Sequence, residues 1–141
     1  MHVEYHIEGG NFTRAGLASS ESKKLLRQLN VDVQIIKRAV VASYEAEVNV
    51  VAHAYNGTLK ADIDTEKIVL CFEDQGPGIE DIDLAMKEGY STASSKVREM
   101  GFGAGMGLPN IHSNADELSV SSEDGKGTRV LITLYVNKEE K

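Results

Sequence analysis

The stretch NVDVQIIKRAVVASYEAEVNVVAHAYNG, Asn30–Gly57, contains no proline and no glycine before its last residue. Apolar residues recur through it at helical spacing, so it reads as one long helix, with Asn56-Gly57 as its C-terminal stop. At about 100° per residue, Glu45 and Asn49 stand roughly 40° apart, one turn from each other. Val41, Ala42, Val48 and Ala52 flank them, and Glu47 points almost the opposite way. Burying a carboxylate and an amide among small apolar side chains costs free energy unless partners are supplied. Two readings fit: a polar pair on a partly wet rim, or a built site.

The other elements arrange themselves around this helix. HVEYHIE, His2–Glu8, alternates and ends at Gly9-Gly10, as a strand and its turn do. Ala15, Leu17, Ala18, Leu25, Leu26 and Leu29 suggest a helix over about Phe12–Leu29. After the long helix, TLKADID and KIVLCFEDQG read as two strands joined around Thr65-Glu66, the second apolar enough to be central. A short helix is expected through EDIDLAMKEG, followed by the polar stretch YSTASSKVREM and the glycine run GFGAGMG. LPNIHSN begins another short helix, and ELSVSSEDGKGTRVLITLYV reads as a terminal hairpin turning at Asp124-Gly125. The expected architecture is a single α+β domain over residues 1–141, a two-layer sandwich of a largely antiparallel sheet covered on one side by helices.

The composition narrows the function. A chain of 141 residues with 41% hydrophobic content can bury a proper core. Its 22 acidic residues outnumber 15 scattered basic ones, so the electrostatic footprint of a nucleic-acid or acidic-membrane binder is missing. Cys71 sits alone in an apolar run and reads as strand filler, and the four histidines are too far apart in sequence to resemble a zinc site, so no structural metal is expected. Neither a leader nor an apolar run of the roughly 20 residues that cross a bilayer is evident, and a cytoplasmic location is the expectation.

Three further motifs could carry chemistry. DQGPG, Asp74–Gly78, ends the central strand, where a carboxylate beside close-approach glycines could read an exocyclic amine such as that of adenine; an ordinary turn explains it equally well. GFGAGMGLPN, Gly101–Asn110, could cradle phosphates with bare backbone N–H groups leading into a helix, or be a flexible hinge. It is not a P-loop, because no Gly-Lys-Ser/Thr closes it, and it does not follow a strand in the way of a Rossmann turn. GKGT, Gly125–Thr128, is by itself a turn.

In order, Glu45-xxx-Asn49, DQGPG, the glycine run and GKGT resemble the four nucleotide-binding boxes of the GHKL ATPases over about Glu8–Val136. That superfamily includes gyrase, a heat-shock chaperone, MutL and histidine kinases. The phrases EAEVNVVAHAY, GFGAGMGLPNI and DELSVSSEDGKGT look like the bacterial anti-sigma-factor serine/threonine kinases and the switch kinases of partner-switching (stressosome) pathways. The resemblance implies a Bergerat-type, histidine-kinase-like ATPase fold, with a mixed, mostly antiparallel sheet and helices on one face.

It also implies ATP and Mg²⁺ as cofactors and a set of residue roles. Glu45 would be the general base, and Asn49 would hold Mg²⁺ against the phosphates. Asp74 would accept from the adenine amine, with Gly76, Gly78 and Ile79 shaping the base pocket and Thr128 backing it. Gly103, Gly105 and Gly107 would supply lid backbone, with Leu108 starting the helix that receives the phosphates. Either Lys96 or Arg98 would meet the γ-phosphate, and His53 would line the pocket or act chemically.

The implied partners are a STAS-domain anti-anti-sigma protein as substrate, a sigma factor or a downstream phosphatase, and a second copy of the chain; nucleic acid and membrane are not among them. The alternative is a module in which ATP gates partner binding without turnover. A histidine-kinase fragment is a third reading. A topoisomerase, chaperone or repair ATPase would be expected to carry a transducer domain after NKEEK.

Overall fold

KIVLCFEDQ, Lys67–Gln75, forms β3, the middle strand of a five-stranded sheet, as its apolar run predicts. A computed structural model describes residues 1–76, 107–123 and 126–136. Within them β1 (His2–Glu8), β2 (Asn56–Ile63), β3, β4 (Glu117–Glu123) and β5 (Gly127–Tyr135) lie in the order β1-β2-β3-β5-β4. Each neighbouring pair is antiparallel, so the described sheet lacks the parallel component that a mixed sheet would have.

The two-residue alternation of a strand sorts the sheet into two faces. Ile68, Leu70 and Phe72 point the same way as Leu59 and Ala61 of β2 and Val130, Ile132 and Leu134 of β5, and all are buried. Helices α1 (Leu17–Gln28), α2 (Val33–His53) and α3 (Gly107–Asn114) contribute Leu26, Ala39, Ala46, Leu108 and Ile111 to the same core. The opposite face carries charge: Lys60 pairs with Glu73 at 2.8 Å, and Arg129 donates to the buried Cys71 thiol at 3.3 Å.

Four boundaries depart from the expectations. The first helical segment is split, because Gly16 takes a positive φ of 95° and separates a 3₁₀ turn at Phe12–Arg14 from α1. Asn30 ends α1 rather than opening α2. At φ 58° it lets its own N–H reach the Arg27 carbonyl and that of Val31 reach the Leu26 carbonyl, a Schellman closure. Asp32 then caps α2 by accepting from the Gln34 N–H at 2.8 Å.

Asn56-Gly57 is not the stop of α2. The helix ends at His53 with Ala54 extended, and Asn56 and Gly57 already pair with Gln75 and Asp74. Tyr55 N–H donates to the Gln75 carbonyl at 2.8 Å, so sheet pairing captures the chain before a left-handed cap can form. Gly127 and Thr128 of GKGT likewise belong to β5 rather than to its turn, while Asp124 and Gly125 lie outside the described residues. The expected helix through EDIDLAMKEG and the stretch YSTASSKVREM also lie outside them.

Candidate functional site

Asp74 is the next-to-last residue of β3 and shares the helix-covered face with Phe72. Its Oδ1 accepts the Thr128 N–H at 3.1 Å, which ties the end of β3 to the start of β5. That approach is close enough to require glycine: a Cβ on Gly127 would stand 2.0 Å from the Asp74 carbonyl oxygen, and Gly127 has a φ of 150°. Gly57 is constrained in the same way, since its Cβ would meet Val50 Cγ1 at 2.8 Å and Asp74 Cβ at 3.2 Å. Two glycines therefore let β2, β5 and α2 converge on one carboxylate. Thr128 Oγ1 lies 3.2 Å from Ser122 Oγ, and the buried Gly76 donates its N–H to the Lys126 carbonyl at 3.3 Å.

Asp74 is half-buried, and burial pushes its carboxyl above the usual range while the Thr128 N–H pulls it back. A wide-open depression beside it is lined by Glu73 and Arg129 of the opposite sheet face as well as by Asp74, Gln75, Ser122, Lys126 and Thr128, and no described residue of α2 lines it.

On α2, Glu45 and Asn49 are both half-buried, one turn apart, as the helical spacing predicts. Desolvation raises the Glu45 carboxyl above its ordinary value, and the Asn110 side-chain amide on α3 opposes the rise. Val50, next to Asn49 in the helix, packs on Gly57, the cross-strand partner of Asp74, so the C-terminal half of α2 lies over the end of β3. Of the residues expected to flank the pair, Ala42 and Val48 are buried, whereas Val41 is 42% exposed.

Glu47 does point away from Glu45, and it has its own partners. It is 2% exposed and accepts from Ala18 N–H at 3.1 Å, Ser19 N–H at 2.9 Å and Ser19 Oγ at 2.7 Å. Gly16 supplies no side-chain cap to α1, so a carboxylate from α2 caps it instead.

His53 falls in the last turn of α2, Gly107 opens α3, and Leu108 is buried in the core. Gly78, Ile79, Lys96, Arg98, Gly103 and Gly105 lie outside the described residues. Sequence reasoning overlooked Asn110, Arg38 and the capping role of Glu47, whose partners are distant in sequence. Among the described residues no group of three His, Cys, Asp or Glu side chains could hold a metal. Asn49 offers one amide oxygen, so Mg²⁺ there would depend on ligand oxygens, as this ion commonly does with phosphates. The half-buried Asp74 carboxylate is an acceptor of the kind an exocyclic amine would need.

Residues 12–134 match the histidine kinase-like ATPase domain family. The anti-sigma F factor of Thermoanaerobacter sp. (strain X514) is 36% identical over 118 residues, covering 80% of this chain and 79% of that protein. The serine/threonine-protein kinase RsbT of Bacillus subtilis (strain 168) is 34% identical over 97 residues, covering 66% of this chain and 67% of its own. Among solved structures, the RsbU and RsbW domains of a Mycobacterium tuberculosis protein align with a TM-score of 0.65 at 15% identity, covering 97% of this chain and 33% of that one. The mycobacterial sensor histidine kinase MprB aligns with a TM-score of 0.56 at 18% identity, covering 96% of this chain and 97% of that one. At such identities the two structures speak for the fold alone. Among the described residues, no helix is long and apolar enough to cross a membrane.

Proposed function

The chain belongs to the histidine kinase-like ATPase domain family, and we propose that it is an ATP-dependent serine/threonine kinase of the partner-switching type, acting on a STAS-domain antagonist. The observation that carries this reading is the pairing of a half-buried Glu45, one turn from Asn49, with a glycine-walled Asp74 held by Thr128. Relatives named anti-sigma F factor and serine/threonine-protein kinase support the choice within the family.

In this proposal Asp74 accepts a hydrogen bond from the adenine amine, and Gly57 and Gly127 let β2, α2 and β5 pack closely against the residue that carries that carboxylate. The Asn49 amide oxygen would hold Mg²⁺, which when bound neutralises phosphate charge. Gly103, Gly105 and Gly107 would offer backbone N–H groups, and Lys96 or Arg98 a positive charge, to the phosphates. Glu45 Oε takes the proton of the acceptor hydroxyl as its oxygen attacks the γ-phosphorus and the bond to the ADP leaving oxygen breaks. Phosphoryl transfer asks a protein mainly for positioning and charge neutralisation, and a carboxylate raised by burial is a better proton acceptor than a solvated one.

A purified STAS-domain protein incubated with the chain, Mg²⁺ and γ-labelled ATP tests this directly. Label on an acceptor serine or threonine is expected. No label, under conditions where ATP binds, favours the second reading, in which ATP gates affinity for a sigma factor or another regulator. The anti-sigma names of the relatives support that reading too.

A further inference from the structure

Among the described residues β1 is an edge strand, paired with β2 on one side only. The Met1 amine donates to the Ile63 carbonyl and the Ile63 N–H to the Met1 carbonyl, both at 2.8 Å, and Gly9 N–H donates to the Tyr55 carbonyl at 3.1 Å. An antiparallel strand turns the backbone polar groups of alternate residues to opposite sides. The odd-numbered residues of β1 therefore direct theirs to β2, and the N–H and C=O groups of His2, Glu4, His6 and Glu8 point outward along the edge. Side chains alternate in step. Val3, Tyr5 and Ile7 lie opposite Ala61, Leu59 and Gly57 on the helix-covered face, while His2, Glu4, His6 and Glu8 lie opposite Asp62, Lys60, Thr58 and Asn56 on the other. Edge strands are commonly blunted by lysine, proline or a bulge. HVEYHIE has neither residue and pairs with β2 without a break in register.

We propose that this edge pairs with the same edge of a second copy of the chain, β1 antiparallel to β1 about a two-fold axis at Tyr5. Glu4 then stands opposite His6 of the partner subunit, and His2 opposite Glu8 of the partner subunit. All four residues have outward-pointing polar groups, so each pair can exchange both N–H···O bonds. On the outer face every pair joins a histidine to a glutamate, and an imidazole N–H donates to a carboxylate whether the ring is neutral or charged. His2 already bonds Asp62 and Glu4 in its own chain, so the two central Glu4–His6 pairs carry most of the match. On the helix-covered face Val3 meets Ile7 of the partner subunit, and the half-buried Tyr5 meets its own copy. Other registers fail. A slip of one residue sets outward-pointing groups against residues already bonded to β2, and a slip of two sets Glu4 against its own copy or against Glu8 of the partner subunit. The other described edge, β4, has no such match, because pairing it with its copy about Val120 sets Glu117 against Glu123. A seven-residue strand pair makes a small interface, for which a Kd of about 1–100 μM is expected.

Nothing in this inference depends on the kinase reading, and its test needs no nucleotide. Sedimentation velocity of the full chain over a concentration series compares wild type with variants that circular dichroism shows to be folded. Wild type is expected to pass from monomer to dimer as concentration rises. His6→Glu turns an attraction into a repulsion at both symmetry-related places and should weaken association at least about tenfold. Glu4→His should weaken it too, although it makes the chain less acidic, which separates pairing from a general charge effect. Combining the two exchanges the residues, keeps the net charge and should restore the dimer. A monomeric wild type, an unchanged Kd in His6→Glu, or a double variant no tighter than either single one overturns the proposal.

Amide hydrogen exchange of wild type, read by NMR at low and high concentration, tests the surface without any substitution. The Glu4 and His6 N–H groups should slow at least about fivefold as the dimer forms, while those of Tyr5 and Ile7, which face β2, are protected at both concentrations. A dimer in which the Glu4 and His6 amides exchange as fast as in the monomer is built on another surface and overturns the proposal.

Discussion

Removing the Glu47 carboxylate should destabilise the protein more than any other single polar substitution among the described residues. It is 2% exposed and receives three donors, two of them backbone N–H groups in the first turn of α1. Glu47→Ala strands all three away from water, and breaking a buried charged set in this way costs about 3–5 kcal/mol. Glu47→Gln is gentler. If its carbonyl takes the place of Oε1, Ser19 N–H and Oγ keep their acceptor and only the Ala18 N–H faces an NH₂ group, a loss of about 1–3 kcal/mol. With a urea m-value of about 1.5 kcal/mol/M, the midpoint falls by about 2 M or more for Ala and by about 1–2 M for Gln. Circular dichroism during urea unfolding gives both values. A drop below about 0.5 M for Glu47→Ala would refute the claim that this carboxylate caps α1, and equal drops for Ala and Gln would refute the accounting of individual donors.

Other expected outcomes follow from the same geometry. Asp74→Asn should weaken ATP binding about 10- to 100-fold, the worth of one charge-assisted hydrogen bond, as read by calorimetric titration. Gly127→Ala places a Cβ within 2.0 Å of the Asp74 carbonyl and should reduce both ATP affinity and melting temperature, whereas Gly10→Ala, with open space around it, should lower only stability through its positive φ. Burial raises the Glu45 and Asp74 carboxyls, so their ionisation opposes folding. In the ligand-free chain, the stability of Glu45→Gln relative to wild type should therefore grow as pH rises from about 4.5 through the raised value. His2 behaves oppositely. Glu4 and Asp62 raise it above 6.5, so its contribution is complete below that pH and fades as pH climbs through the folded value, a dependence that His2→Gln should flatten.

Much of this arrangement was legible in the residues because it is local. The period of α2 carries Glu45 and Asn49 to one face, and the apolar run of β3 places it mid-sheet with Asp74 at its end. What escaped reading is tertiary. The wheel gives the direction of Glu47 but not its partners, because Ser19 lies 28 residues earlier and nothing nearby signals that an uncapped helix needs it. Asn110 lies in a glycine-rich motif, and its influence on Glu45 exists only once α3 is docked on α2. Asn56-Gly57 misled for a physical reason: the pair suits a helix stop and a close strand approach alike, and the second won because a Cβ at 57 would strike Val50.

The central claim is that Glu45 serves proton transfer rather than nucleotide binding. Its most direct test measures Mg²⁺–ATP affinity and phosphoryl transfer side by side in wild type and Glu45→Gln. The account predicts unchanged affinity and a transfer rate at least about 100-fold lower, in line with the worth of a general base. Transfer at the wild-type rate by Glu45→Gln, with ATP bound equally well, would contradict it.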